Sequence, residues 1–165
     1  MDEIRVVPYD PSWAESFALE RDAILRVVRP VRVLHLGSTS VPGLAAKPII
    51  DIFLTVERME DAYGMLDALR TLGYVHVDIH EDDRLFMRKG MPRTHHLHIV
   101  AEGSETLMGH IAFRDALMRD TSRRDAYARL KLDLADRYAN DREGYCEAKA
   151  SFIEDVLEEA CGRRG

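Results

Sequence analysis

Leu34-His35-Leu36-Gly37-Ser38-Thr39-Ser40, followed shortly by Asp51-Ile52-Phe53-Leu54, is the stretch on which the fold turns. Residues 31 to 36 have strand character, residues 37 to 43 form a loop dense in turn residues, and residues 48 to 56 are apolar and β-branched except for Asp51, the pattern of a central strand. A strand ending in Gly-Ser leaves backbone N–H groups and a hydroxyl free for phosphate oxygens, because glycine permits close approach. A carboxylate on the neighbouring strand can then hold the metal ion that phosphates bring with them. Burying an unpaired carboxylate is costly, so Asp51 is expected to have a partner.

Outward from this stretch, Asp10-Pro11 reads as a helix opening, and Trp13, Phe17, Ile24 and Val28 recur at helical spacing, which predicts a helix over 11–28. The apolar period of residues 58–72 predicts one further helix, closed by Gly73. Three short strands are expected at 74–79, 84–89 and 94–101. Helices over 104–119, 122–139 and 140–160 follow, the second opened by a Ser122/Asp125 capping box. The order implies an α/β fold, a mixed β-sheet with flanking helices and a helical C-terminal third, in a single domain covering 1–165.

Composition narrows the function. The chain of 165 residues has 46% apolar and 32% charged side chains and a net charge of −6, the profile of a folded domain with an acidic surface. Its pI near 5.6 argues against nucleic acid as a partner. Apolar runs are far shorter than the roughly 20 residues needed to cross a bilayer, and Met1-Asp2-Glu3 lacks a basic leader. No membrane association and a cytoplasmic location are therefore expected. Cys146 and Cys161 form no CxxC pair and are expected to be reduced helix residues. The charge is unevenly spread: Ala23 to Ile50 and Arg84 to Ala101 contain no Asp or Glu and together carry +8, leaving −14 elsewhere. If the two windows meet, they form a site suited to a phosphate-bearing small molecule.

The run from His35-Leu36-Gly37-Ser38-Thr39-Ser40-Val41-Pro42-Gly43 through Lys47-Pro48-Ile49-Ile50-Asp51-Ile52 closely resembles the GrpB family. So do Arg88-Lys89-Gly90, Arg93-Thr94-His95-His96-Leu97-His98, Phe113-Arg114-Asp115, and Tyr145 with Lys149, in the same order. The resemblance implies the nucleotidyltransferase fold and a nucleotidyl transfer activity, on a nucleoside triphosphate or related phosphorylated molecule and a small acceptor. Such domains also occur fused to dephospho-CoA kinases. In that superfamily a Gly-Ser pair grips the nucleotide phosphates and an Asp-x-Asp or Asp-x-Glu holds two Mg²⁺ ions. Gly37, Ser38 and Asp51 match those positions, and Phe53 stands where the second carboxylate belongs, on the face of Asp51. A two-ion centre is weakened by that loss. The alternative is a non-catalytic nucleotide or phosphometabolite-binding module, with a link to coenzyme A metabolism.

The remaining candidates complete this expectation. His96 and His98 share a strand face and could join Asp51 around a divalent metal, Mg²⁺ or Mn²⁺, with Zn²⁺ the softer option, or His98 could move protons beside Asp51. Gly37, Ser38, Thr39, Lys47, Arg84, Arg88, Tyr145 and Lys149 are the candidate phosphate-binding set. Tyr127/Lys131 and Tyr145/Lys149 are i, i+4 pairs, each on one helix face. Gly90, His96, His98, Glu102 and Gly109 also match the spacing of a cupin metal motif, which requires an all-β barrel. Oligomeric state is not written in any of these features.

Overall fold

Strand formation follows short apolar runs, β-branched in the central strand and alternating with polar residues toward the edges. The computed structural model describes residues 3–162, and Arg32–Leu36 (β1), Ile50–Val56 (β2), Val75–Val77 (β3), Arg84–Lys89 (β4) and His95–Ala101 (β5) form one sheet in the order β1-β2-β5-β4-β3. Residues 1–2 and 163–165 and the side chain of Cys161 lie outside the described residues, and with them most of the acidic start and one of the two cysteines. β2 and β5 run parallel and every other neighbouring pair is antiparallel. β2 is flanked on both edges, and all its residues are buried except Asp51, which is half-buried.

Register divides the sheet into two faces. Ile52, Leu54, Leu85, Met87, Leu97 and Ile99 point to one side and pack on Trp13, Ile24 and Val28 of helix α1 (Ser12–Val27) and on two short helices, α2 (Met59–Tyr63) and α3 (Leu66–Arg70). Asp51 pairs in register with His96, Phe53 with His98, Phe86 with His98 and Arg88 with His96, so all of these share the opposite face. That face is covered by α4 (Glu105–Arg119), with Leu36, Phe53, Val100 and Leu107 in a common apolar cluster. Helices α5 (Thr121–Arg137) and α6 (Arg142–Gly162) pack beyond it, where Tyr127, Leu117 and Phe152 meet Val41 and Leu44 of the loop after β1.

Local chemistry sets the boundaries, and in three places it differs from expectation. Residues 58–72 form two helices rather than one, because the chain breaks at Gly64-Met65, where glycine costs about 1 kcal/mol relative to alanine in a helix interior. The third strand is confined to Val75–Val77, since the segment beyond it has only β4 as a partner and leaves the sheet. The cap of α5 is Asp120, whose carboxylate accepts the Arg123 N–H at 3.1 Å, and not Ser122, which already lies inside the helix. Elsewhere the caps follow the sequence. Asp10 accepts the Ser12 N–H at 2.9 Å, Ser104 accepts the Leu107 N–H at 3.3 Å, and Asp141 accepts the Gly144 N–H at 2.9 Å. Among the described residues no helix is long and apolar enough to cross a membrane. The open sheet with three terminal helices also removes the cupin reading. Glu102, a ligand in that pattern, is instead held by Arg32 at 2.7 Å and by the Thr55 hydroxyl at 2.6 Å.

Candidate phosphate-binding site

The site begins where β1 ends. Leu36 is opposite Asp51 in the sheet, so the next residue, Gly37, lies directly against that carboxylate. Gly37 has φ +75°, and a Cβ there would stand 2.5 Å from Asp51 Oδ2. Glycine is required twice over, for the backbone conformation and for the approach. A single 3₁₀ turn, Ser38–Ser40, follows and buries Thr39. His35 points to the opposite face, where it stacks on Phe17 at 4.7 Å, and its Nε2 is 2.9 Å from the Thr39 hydroxyl. Burial pushes its pKa down to about 4 against the pull of Asp51.

Asp51 has the partners its burial demands. Its Oδ1 is 3.4 Å from His98 Nε2 and 3.6 Å from His96 Nδ1. Burial alone would raise the carboxyl pKa, but the two imidazoles outweigh it and hold Asp51 well below the usual carboxylate range. Burial pushes the pKa of His98 down, opposed by Asp51. On the far side of His98, Phe53 is fully buried and stacks on its ring at 4.4 Å, and Arg84 reaches its Nδ1 at 3.3 Å. His95 faces the other way, toward Glu20 at 3.9 Å.

In front of Asp51 lies a cavity of about 470 Å³ between the Gly37–Thr39 turn, the sheet face and α4, α5 and α6. Three lysines line it. Lys47 and Lys149 both lie over the buried Tyr145 ring, at 5.1 Å and 4.4 Å, and Lys131 lies over Tyr127 at 4.8 Å. Lys131 is only 2% exposed and its ammonium nitrogen has no hydrogen-bond partner; the same is true of His96 Nε2 and the Tyr145 hydroxyl, both buried at this cavity. Burial first, then the charges of Lys149 and Lys47, push Lys131 down to about 6. Burial, then Lys47, pushes Lys149 down to about 8.

Of the residues singled out in the sequence, Gly37, Ser38, Thr39, Lys47, Asp51, His96, Tyr145 and Lys149 line this one cavity. His98 sits behind Asp51. Arg84 is turned to Glu81 at 2.8 Å as well as to His98, and neither it nor Arg88 is among the lining residues. Lys131 and Tyr127 are part of the site, and their i, i+4 spacing is the signal that finds them. Glu105, Thr106 and His110 at the start of α4 also line the cavity, and no spacing in the sequence points to them.

The donor set decides what metal the site would suit. Asp51 is a single carboxylate, Phe53 fills the place of a second, and among the described residues no three His, Cys, Asp or Glu side chains are grouped to hold an ion. The unpartnered His96 Nε2 is the one further donor beside Asp51. These groups suit one ion carried in on phosphate oxygens, and do not suit a two-ion centre.

The five-stranded mixed sheet with its flanking and C-terminal helices gives the class, an α/β domain of nucleotidyltransferase-like fold. In line with it, a crystal structure of the Cid1 poly(U) polymerase with Mg 3'-dATP bound matches with a TM-score of 0.59 over 87% of this chain and 49% of that one; at 11% identity this likeness concerns the fold alone. The chain belongs to the GrpB protein family, which it matches over residues 3–159. The crystal structure of GrpB from Enterococcus faecalis matches with a TM-score of 0.89 at 33% identity, covering 97% of this chain and 99% of that one. A UPF0157 protein of Halalkalibacterium halodurans is 37% identical over 95% of this chain and 82% of its own length. A dephospho-CoA kinase of Mycolicibacterium paratuberculosis is 26% identical over 95% of this chain and 46% of its own length.

Proposed function

We propose that the cavity binds the phosphate chain of a small molecule, with a nucleoside triphosphate as the reference ligand, and that the protein acts as a binding module rather than a two-ion nucleotidyltransferase. The observation that carries this reading is Lys131: a buried lysine nitrogen without a hydrogen-bond partner, next to two further lysines in one cavity, is a donor cluster suited to an anion. Ser38 and the backbone N–H groups of its turn would hold phosphate oxygens beside Gly37, and Lys47, Lys131 and Lys149 would neutralise the chain. Asp51 would be the one carboxylate facing any Mg²⁺ or Mn²⁺ that arrives with the phosphates. Phe53 favours binding over transfer, since a second carboxylate is what balances charge between attacking and leaving oxygens.

The test is calorimetric titration of the protein with each nucleoside triphosphate, and with dephospho-CoA because of the mycobacterial relative, with and without Mg²⁺ or Mn²⁺. Binding without pyrophosphate release over a panel of hydroxyl acceptors is the expected result. No binding by any phosphorylated ligand would sink the reading. Metal-dependent pyrophosphate release that Asp51→Ala abolishes would replace it with a transferase.

A further inference from the structure

Three lysines converge on one cavity with little opposite charge beside them. Lys131 comes from α5, Lys149 from α6 and Lys47 from the loop before β2, and all three meet around two tyrosine rings with no carboxylate in ion-pair contact among the described residues. The titratable groups that face them are few. From the sheet there is Asp51, which attracts all three, with His96 beside it; from α6 Arg142 repels Lys47, and Cys146 lies near Lys47 and Lys149; Arg93 adds a further repulsion on Lys47. From α4, His110 and Glu105 are both at the exposed rim. One negative charge, already shared with two histidines, therefore faces three amines. Lys131 is the most buried of them, and its nitrogen is closed off from solvent with no hydrogen-bond partner, so it is the one that stays neutral.

We infer that this site takes up a proton from solution as it binds a ligand carrying two or more linked phosphates, the proton going to Lys131. This rests on the phosphate-binding reading above and adds to it a ligand class and a pH dependence. An entering diphosphate or triphosphate supplies the negative charge the cavity lacks. The neutral Lys131 amine then gains a proton and donates hydrogen bonds to a phosphate oxygen, while Lys149 completes its own protonation. Mononucleotides, with one phosphate, offer too little charge to hold three ammonium groups and should bind more weakly.

Linkage gives the sign. Because the complex binds more protons than the free protein, affinity falls as pH rises above the free-state value of Lys131, about 6, with a slope of about tenfold in Kd per pH unit for each proton taken up. The phosphates' own ionisation, centred near pH 6 for a monoester, works oppositely, so the effect is read above pH 7.

The experiment is titration of ATP, with pyrophosphate and AMP as companions, into the full chain at pH 7.5 in buffers of different ionisation enthalpy. The observed heat is plotted against buffer enthalpy to count protons. About one proton taken up per ATP, and ATP affinity falling about tenfold between pH 7.5 and 8.5, is the expected result. Lys131→Arg, whose guanidinium stays charged, should bind ATP with the proton count near zero; Lys131→Met should bind weakly, also without uptake. Thermal melts of both variants separate loss of fold from loss of the proton. ATP binding with no buffer dependence overturns the inference and leaves the binding reading intact. Undiminished uptake in Lys131→Arg assigns the proton elsewhere and also overturns it, and no ATP binding at any pH overturns both.

Discussion

Gly37 joins the backbone and the chemistry of the site at one atom, because the hydrogen it carries in place of a side chain is what lets Asp51 lie against the phosphate turn. Gly37→Ala should therefore cost about 2–3 kcal/mol, combining the left-handed backbone penalty with displacement of a hydrogen-bonded carboxylate. Urea unfolding measures this, and a loss under about 0.5 kcal/mol would show that the turn reshapes freely. Tyr145 gives a complementary result. Its ring is fully buried beneath Lys47 and Lys149, while its hydroxyl has no hydrogen-bond partner. Tyr145→Phe removes an unsatisfied polar atom and should leave stability unchanged or slightly higher, whereas Tyr145→Ala should cost about 3–5 kcal/mol through the lost ring. If the hydroxyl serves phosphate, Tyr145→Phe should still weaken ATP binding severalfold, and equal ATP affinities would remove it from the ligand contacts.

The elements were legible in the sequence wherever one face of a regular period was enough to define them. α1, β2, β5 and α4 lie close to their expected spans because apolar spacing and caps agree there, as with Asp10 and Ser104. The single helix expected over 58–72 fails at Gly64, where period continues but propensity does not. At the site, alternation correctly put Phe53 beside Asp51 and His96 beside His98, since a strand has only two faces. It could not place Arg84, which alternation also directs to that face but which Glu81 and His98 hold away from the cavity. The convergence of Lys47, Lys131 and Lys149 was illegible for a related reason: the i, i+4 rule places a side chain on its own helix, not against a neighbour. The opposite face carries its own long-range contact. Glu20 of α1, 8% exposed, accepts from Tyr74 at 2.8 Å and Lys89 of β4 at 2.9 Å, so one carboxylate ties helix to sheet. Lys89→Met should destabilise by about 1–3 kcal/mol, since it leaves Glu20 with Tyr74 and His95 alone. Chemical denaturation tests it, and Glu20→Gln/Lys89→Met together should cost less than the sum of the single changes.

Across the whole molecule the shifted carboxylates, histidines and lysines all have lowered values, which makes the pH dependence of stability distinctive. His35 is neutral down to about pH 4 in the folded chain, against an ordinary value near 6.5, so the unfolded chain binds more protons between those limits and stability rises with pH across them. Lys131 does the same from about 6 up to the ordinary 10.5, and Lys149 from about 8. Glu20, Asp51 and Glu102, all held below the usual carboxylate range, contribute stability that is present above about pH 4 and lost as pH falls through their folded values. Tyr74, Tyr127 and Tyr145 oppose the trend: burial raises all three, so the folded chain retains protons that the unfolded chain releases above about pH 10. The ligand-free protein should therefore melt at progressively higher temperature from pH 5 to about pH 9, instead of peaking near neutrality, and Lys131→Met should flatten the rise between pH 6 and 9. Thermal melts at constant ionic strength measure both, and a wild-type optimum at pH 6–7 would contradict the burial of these amines. Because phosphate binding restores the lysine charge that burial suppresses, the increment in melting temperature from a fixed ATP concentration should run the other way, largest near pH 7 and shrinking toward pH 9. The two opposite slopes have one cause, three lysines packed where one carboxylate faces them.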